Sequence, residues 1–150
     1  MKYIYVTSIL VVFLISCNKE KRYSKKLIKG ETWSVESISV DGTSLNSNST
    51  WLVKGGDIYE TVSQVEWNTG NVNSANFEWQ FKEKGKKWVL NYLQNCEECD
   101  GILTDELDYL AYYLSGTYSV EKHKRKEMIF TSTETKQYAN QKVEIKLVRK

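Results

Sequence analysis

Proline is absent from this chain, and histidine occurs once. Set against five tryptophans and ten tyrosines, the missing proline favours strands over disorder. A single imidazole excludes the paired histidines of a His-Glu-x-x-His metal helix. The one present, His123 in EKHKRK, lies among cations that depress its pKa, and it reads as a solvated turn residue rather than a general base. Glycine is sparse as well, with eight in the chain. Gly55-Gly56 and Gly85-Lys86 are too short to cradle a phosphate, and no Gly-x-Ser-x-Gly elbow occurs. No catalytic residue, cofactor or metal is assigned on this basis. An excess of one charge is also lacking: the formal net charge is +2, which gives no sign of a nucleic-acid partner.

Long hydrophobic runs are missing except at the start, where Tyr3 to Ile15 carry no charge. That stretch has the length of a signal-peptide core, and it is too short for a hydrocarbon layer that needs about 20 helical residues. It ends in Leu14-Ile15-Ser16-Cys17, which resembles the lipobox of bacterial lipoprotein precursors. The resemblance implies cleavage before Cys17, a diacylglycerol thioether on its sulfur and an acyl chain on its new amino group. Residues 1–16 are then a signal peptide and residues 17–29 a tether. From 18 to 29 the tether holds six basic residues against Glu20 alone, and it can rest on anionic head groups or stay solvated. The expected address is the cell envelope, on the outer membrane, with a lipid anchor as the membrane contact.

Once Cys17 is lipidated, two cysteines remain, Cys96 and Cys99 in CEECD. In an oxidising compartment a pair three apart reads as a local disulfide. Three neighbouring carboxylates raise the thiol pKa values and disfavour redox attack. A sulfur-carboxylate metal site is the alternative, although only two strong ligands are visible. Asp105-Glu106 are expected first-turn helix acids, not glycosidase carboxylates.

Residues 30–150 form one domain. ETWSVESISV over 31–40 reads as a strand in which Trp33 and Val35 share one parity, Ile38 and Val40 the other; the switch predicts a bulge. Asp41-Gly42 follows as a turn and the polar 43–50 as a loop. Residues 51–53 and 57–67 read as one strand broken by Gly55-Gly56 or as two, and NFEWQFK with the alternation at Trp88, Leu90 and Tyr92 predicts a hairpin over 76–94. Leu103, Leu107, Leu110 and Leu114 lie at helical spacing behind Thr104 and ahead of Gly116. Three closing strands are predicted over 116–123, 127–132 and 142–149. The fold class is all-β, mainly antiparallel: a meander of about seven or eight strands with one short helix, closed so that no edge stays unpaired.

Gly30 and Trp33, Val40-Asp41-Gly42, Phe77-Glu78-Trp79-Gln80-Phe81 before Gly85, Gly116-Thr117-Tyr118 and the apolar strand ending at Arg149 together resemble the lipocalin-like domain carried by small lipoproteins of Gram-negative, Bacteroidetes-type bacteria. The glycine stands one residue further from the tryptophan than in strict lipocalins. The resemblance implies a barrel, with Arg149 packed over Trp33 to close one end. Trp33, Trp51, Trp67, Phe77, Trp79, Phe81 and Trp88 are core, or they line a ligand cavity. Two functions stay open: binding of a small hydrophobic ligand or of another envelope protein, without catalysis; or accessory or inhibitory action by protein contact with no cavity at all.

Overall fold

The computed structural model describes residues 19–46, 49–55, 64–69, 74–93 and 106–149. Helix α1 (residues 19–28) leads into strand β1 (Thr32–Val40). Strands β2 (Thr43–Asn46), β3 (Ser49–Lys54), β4 (Gln64–Asn68), β5 (Ser74–Lys82) and β6 (Lys87–Leu93) follow. Helix α2 (Glu106–Leu114) precedes β7 (Gly116–His123), β8 (Glu127–Ser132) and β9 (Val143–Val148). Every pairing is between antiparallel strands, and β9 returns to pair with β1. The result is the expected all-β meander, closed as an eight-stranded barrel with β2 as an extra strand. At eight strands the interior is just wide enough for side chains to fill.

Alternation builds the wall. In β5, Ala75, Phe77, Trp79 and Phe81 are buried, and in β9 Val143, Ile145 and Leu147 are, because successive strand residues point to opposite faces. β1 departs from this rule at the predicted place. Against β9 its register slips between Val35 and Ser37, so Trp33, Val35, Ile38 and Val40 all end up inside. The bulge lets one strand change parity and keep its apolar side on the core.

Within the polar segment 43–50, expected as a loop, Thr43–Asn46 form β2, an arm of a hairpin, and Ser49 begins β3. Asp41 (φ 48°) and Gly42 (φ 82°) both adopt left-handed backbone, as a two-residue hairpin turn requires. The turn delivers Thr43 opposite Val40 and Ser44 opposite Ser39. β3 continues along the same edge of β1, with Ser49 opposite Val35. The expected hairpin over 76–94, the helix and the three closing strands all form.

The basic stretch expected as a tether differs most. Residues 19–28 are helical, and α1 packs into one end of the barrel, here called the base. Leu27 is wholly buried, and the Trp33 indole N–H donates to its carbonyl oxygen at 2.9 Å. Tyr23 sits edge-on to Phe81, ring centroids 5.7 Å apart. A Cβ on Gly85 would lie 2.8 Å from the Tyr23 ring, so the β5–β6 turn is cut away to receive it. That turn runs through three left-handed residues, Glu83, Lys84 and Gly85. Two of them carry side chains and are strained there; Glu20 holds the turn by accepting the Lys84 N–H at 2.6 Å.

Candidate functional site

The aromatics singled out as core or cavity wall come together inside the barrel. Trp33, Trp51, Trp67, Phe77 and Trp88 are inaccessible to solvent, Trp79 and Phe81 nearly so. Trp88 stacks on Phe130 with centroids 4.1 Å apart. Trp51 lies 5.5–6.1 Å from Phe77, Trp67 and Trp88. These are the separations of packed aromatic pairs. The Trp67 N–H donates to Ser49 Oγ at 2.9 Å, and the Trp79 N–H to the carbonyls of Lys54 and Gln64. The N–H groups of Trp51 and Trp88 find no acceptor among the described residues; a water-sized acceptor would satisfy them, and an acyl chain would not.

At the base, Trp33 is closed off by Leu27 and Gly30 of the α1 segment. A Cβ on Gly30 would fall 2.2 Å from the indole nitrogen. The cation–π pair expected of Arg149 over Trp33 is not formed. Among the described residues such contacts are Lys19 over Tyr23 and Lys136 over Tyr112, and the Arg149 N–H donates to the Lys126 carbonyl. His123 is not the solvated residue its sequence context predicts. Its ring stacks on Tyr23 at 3.8 Å, nearly parallel, and meets Phe81 edge-on at 5.5 Å. Both ring nitrogens are shut off from solvent. Burial first and the Lys26 charge second push its pKa down to about 4; backbone groups of His123 and Tyr23 act the other way. At neutral pH the imidazole is an uncharged packing element of the α1 seam.

A concave site lies outside the barrel. The β8–β9 connection folds back over the start of β7, where Thr135 bridges to Gly116 and the Lys136 N–H donates to the Ser115 carbonyl at 3.0 Å. A Cβ on Gly116 would lie 2.6 Å from the Glu134 carbonyl oxygen and 2.9 Å from the Thr135 Cα; the close approach needs glycine. The overhang leaves a cleft of about 300 Å³ whose walls include Lys87, Thr117, Ser119, Thr131, Glu134 and Lys142. The Lys87 ammonium donates to Ser119 Oγ at 3.2 Å and pairs with no carboxylate among the described residues. Lys142 shares its charge with Glu144 at 3.1 Å, and Thr131 donates to Glu121 at 2.7 Å. With hydroxyls, Lys87 and Glu134 on its walls, the cleft offers hydrogen-bond donors and acceptors and charges of both signs. Sequence reasoning missed it; the signal was Thr117, Ser119 and Thr131 at outward positions of adjacent strands, behind a glycine.

Cys17, Cys96, Cys99 and Thr104 lie outside the described residues. Among the described residues no cluster of three His, Cys, Asp or Glu could hold a metal, and no helix is long and apolar enough to cross a membrane. Comparison with protein-family models, with curated proteins and with solved structures finds no match to this chain.

Proposed function

We infer that this chain is a lipid-anchored protein of the cell envelope that acts through the outer surface of a packed lipocalin-like barrel, without catalysis. Of the two functions left open by the sequence, action by contact is favoured over enclosure of an apolar ligand. The observation that carries this choice is the stacked interior: Trp51, Trp67, Phe77, Trp88 and Phe130 occupy the volume a lipid would need. A binding pocket for a small molecule is commonly 300–1,000 Å³ and mostly apolar; the concave site here is polar and on the outside. Lipidation at Cys17 and the outer-membrane address rest on the leader and its lipobox-like end.

Native mass spectrometry of the purified protein tests the choice. The expected result is one species at the mass of the chain plus its anchor. A stoichiometric extra lipid, lost on substituting Trp51 or Trp88, would return the function to ligand enclosure.

A further inference from the structure

The exposed residues from 21 to 29, along α1 and the turn after it, are Lys21, Arg22, Lys25, Lys26 and Lys29, and each is basic. Tyr23, Leu27 and Ile28 take the opposite side against the barrel. This partition marks a helix whose inner face is fixed by packing and whose outer face is predominantly basic. The same end gathers further cations. The β5–β6 turn brings Lys82, Lys84 and Lys86, and the β7–β8 turn brings Lys124, Arg125 and Lys126, all exposed. Tyr23 contacts Phe81, Gly85 and His123, so it ties both turns to α1 in one rigid surface. Against these cations stand Glu20, Glu31 and Glu83, while Glu127 is paired with Lys122. Among the described residues the base thus gathers eleven basic side chains against these three carboxylates.

We propose that this cationic base is a docking face for an anionic bilayer surface, which seats the barrel upright on the membrane with its opposite rim turned away. The proposal deepens the anchored reading above and rests on it for the nearness of the bilayer. Cys17 precedes the first described residue of α1, Lys19, by two positions, a link of about 7 Å at most. That is inside the Debye length of ~8 Å at physiological salt. Acyl chains at Cys17 therefore hold the start of the basic face within about one Debye length of phosphate and carboxylate head groups, where screening leaves a substantial attraction. A flexible spacer of tens of residues would have lost that coupling.

The test uses the lipidated protein, purified from a host that processes lipoproteins and mixed with lipid nanodiscs. One set is phosphatidylcholine; the other contains about 30% phosphatidylglycerol, to mimic an anionic leaflet. Lysine acetylation rates are read residue by residue by mass spectrometry. Lys21, Lys25, Lys84 and Lys126 should react about threefold more slowly on anionic discs, with the difference gone in about 0.5 M salt. Lys136 and Lys142, at the far rim, should not change. Lys25→Glu with Lys26→Glu, both on the exposed face, should remove protection at Lys84 and Lys126 while tryptophan fluorescence stays native. Co-flotation with either disc reports the anchor separately, so an anchored protein with equal labelling on both discs would overturn docking alone. Binding to anionic discs only, with the base protected, would overturn the anchor and keep the docking face. Equal protection of the base by a soluble polyphosphate without discs would reassign the face to a free polyanion and overturn the proposal.

Discussion

The two ends of the barrel are closed by the same device and finished in opposite chemistry. At the base α1 inserts Leu27 and Tyr23, and at the rim α2 inserts Leu107, Ala111 and Leu114. Outward, α1 shows lysine and arginine, whereas α2 shows Tyr109 and Tyr112, 45% and 38% exposed. Further tyrosines flank them: Tyr92 lies edge-on to Tyr112, and Tyr113 to Tyr138. Plugging a barrel constrains only positions about three or four apart on one helix face. The other face is free to vary, and in this molecule that freedom separates an electrostatic end from an aromatic one.

If the base is a structural plug first and a charged surface second, its buried residues must dominate stability. Leu27→Ala is expected to cost about 3 kcal/mol, within the range for a fully buried leucine. It leaves a hole beneath α1 where the carbonyl of residue 27 receives the Trp33 N–H. Urea unfolding followed by tryptophan fluorescence measures this. A loss under about 1 kcal/mol would mean that α1 is a loosely laid cover and that Trp33 is held by the strands alone.

The second effect distinguishes the ends by pH. The folded-state pKa of His123 lies at about 4 against an ordinary 6.5. Above pH 6.5 both folded and unfolded chains are neutral at this ring, and it contributes no slope. Between 6.5 and 4 the unfolded chain takes up a proton that the folded one refuses, so stability falls as the pH drops, and it levels off below 4. Discounted for the partial exposure of the ring, the loss is about 2 kcal/mol. His123→Phe keeps the stack on Tyr23 and should flatten this part of the curve. A rim substitution should leave it intact. An unchanged slope in His123→Phe would place the titrating group elsewhere.

Much of the wall was legible because strand periodicity is local. The parity switch between Val35 and Ile38 announced the bulge, and NFEWQFK announced the hairpin partner of Trp88 and Leu90. β2 was not legible: Thr43, Ser44 and Leu45 are all exposed, and the segment becomes a strand because left-handed backbone at Asp41 and Gly42 turns it onto β1. α1 was masked by its own charge. Tyr23, Leu27 and Ile28 do recur at helical spacing, but the lysines between them drew the reading to a solvated tether. The cleft was missed for a different reason: its outward hydroxyls are legible, but the overhang that makes them a cleft is not. It depends on Gly116 meeting Glu134 and Thr135, a contact between distant segments that no periodicity encodes. Arg149 as a barrel closer came from resemblance, and the burial of Leu27 over Trp33 supplants it.

The smallest effect belongs to the rim, and its smallness is the point. Lys136 stands 4.0 Å over the Tyr112 ring, an exposed cation–π contact of about 0.5–1 kcal/mol. Tyr112→Ala should therefore cost under about 1 kcal/mol in urea unfolding, since the buried side of α2 at Leu107, Ala111 and Leu114 is untouched. Lys136→Ala should cost no more than that, and the double variant little more than Tyr112→Ala, because the cation–π contact is already lost in either single variant. Additive losses in the double variant would show that the ring and the ammonium act independently. A loss near that of Leu27→Ala would erase the distinction drawn between the ends, because the tyrosines would then be structural rather than free surface. Retained stability leaves the aromatic face with no folding duty, as a surface open to a partner must be.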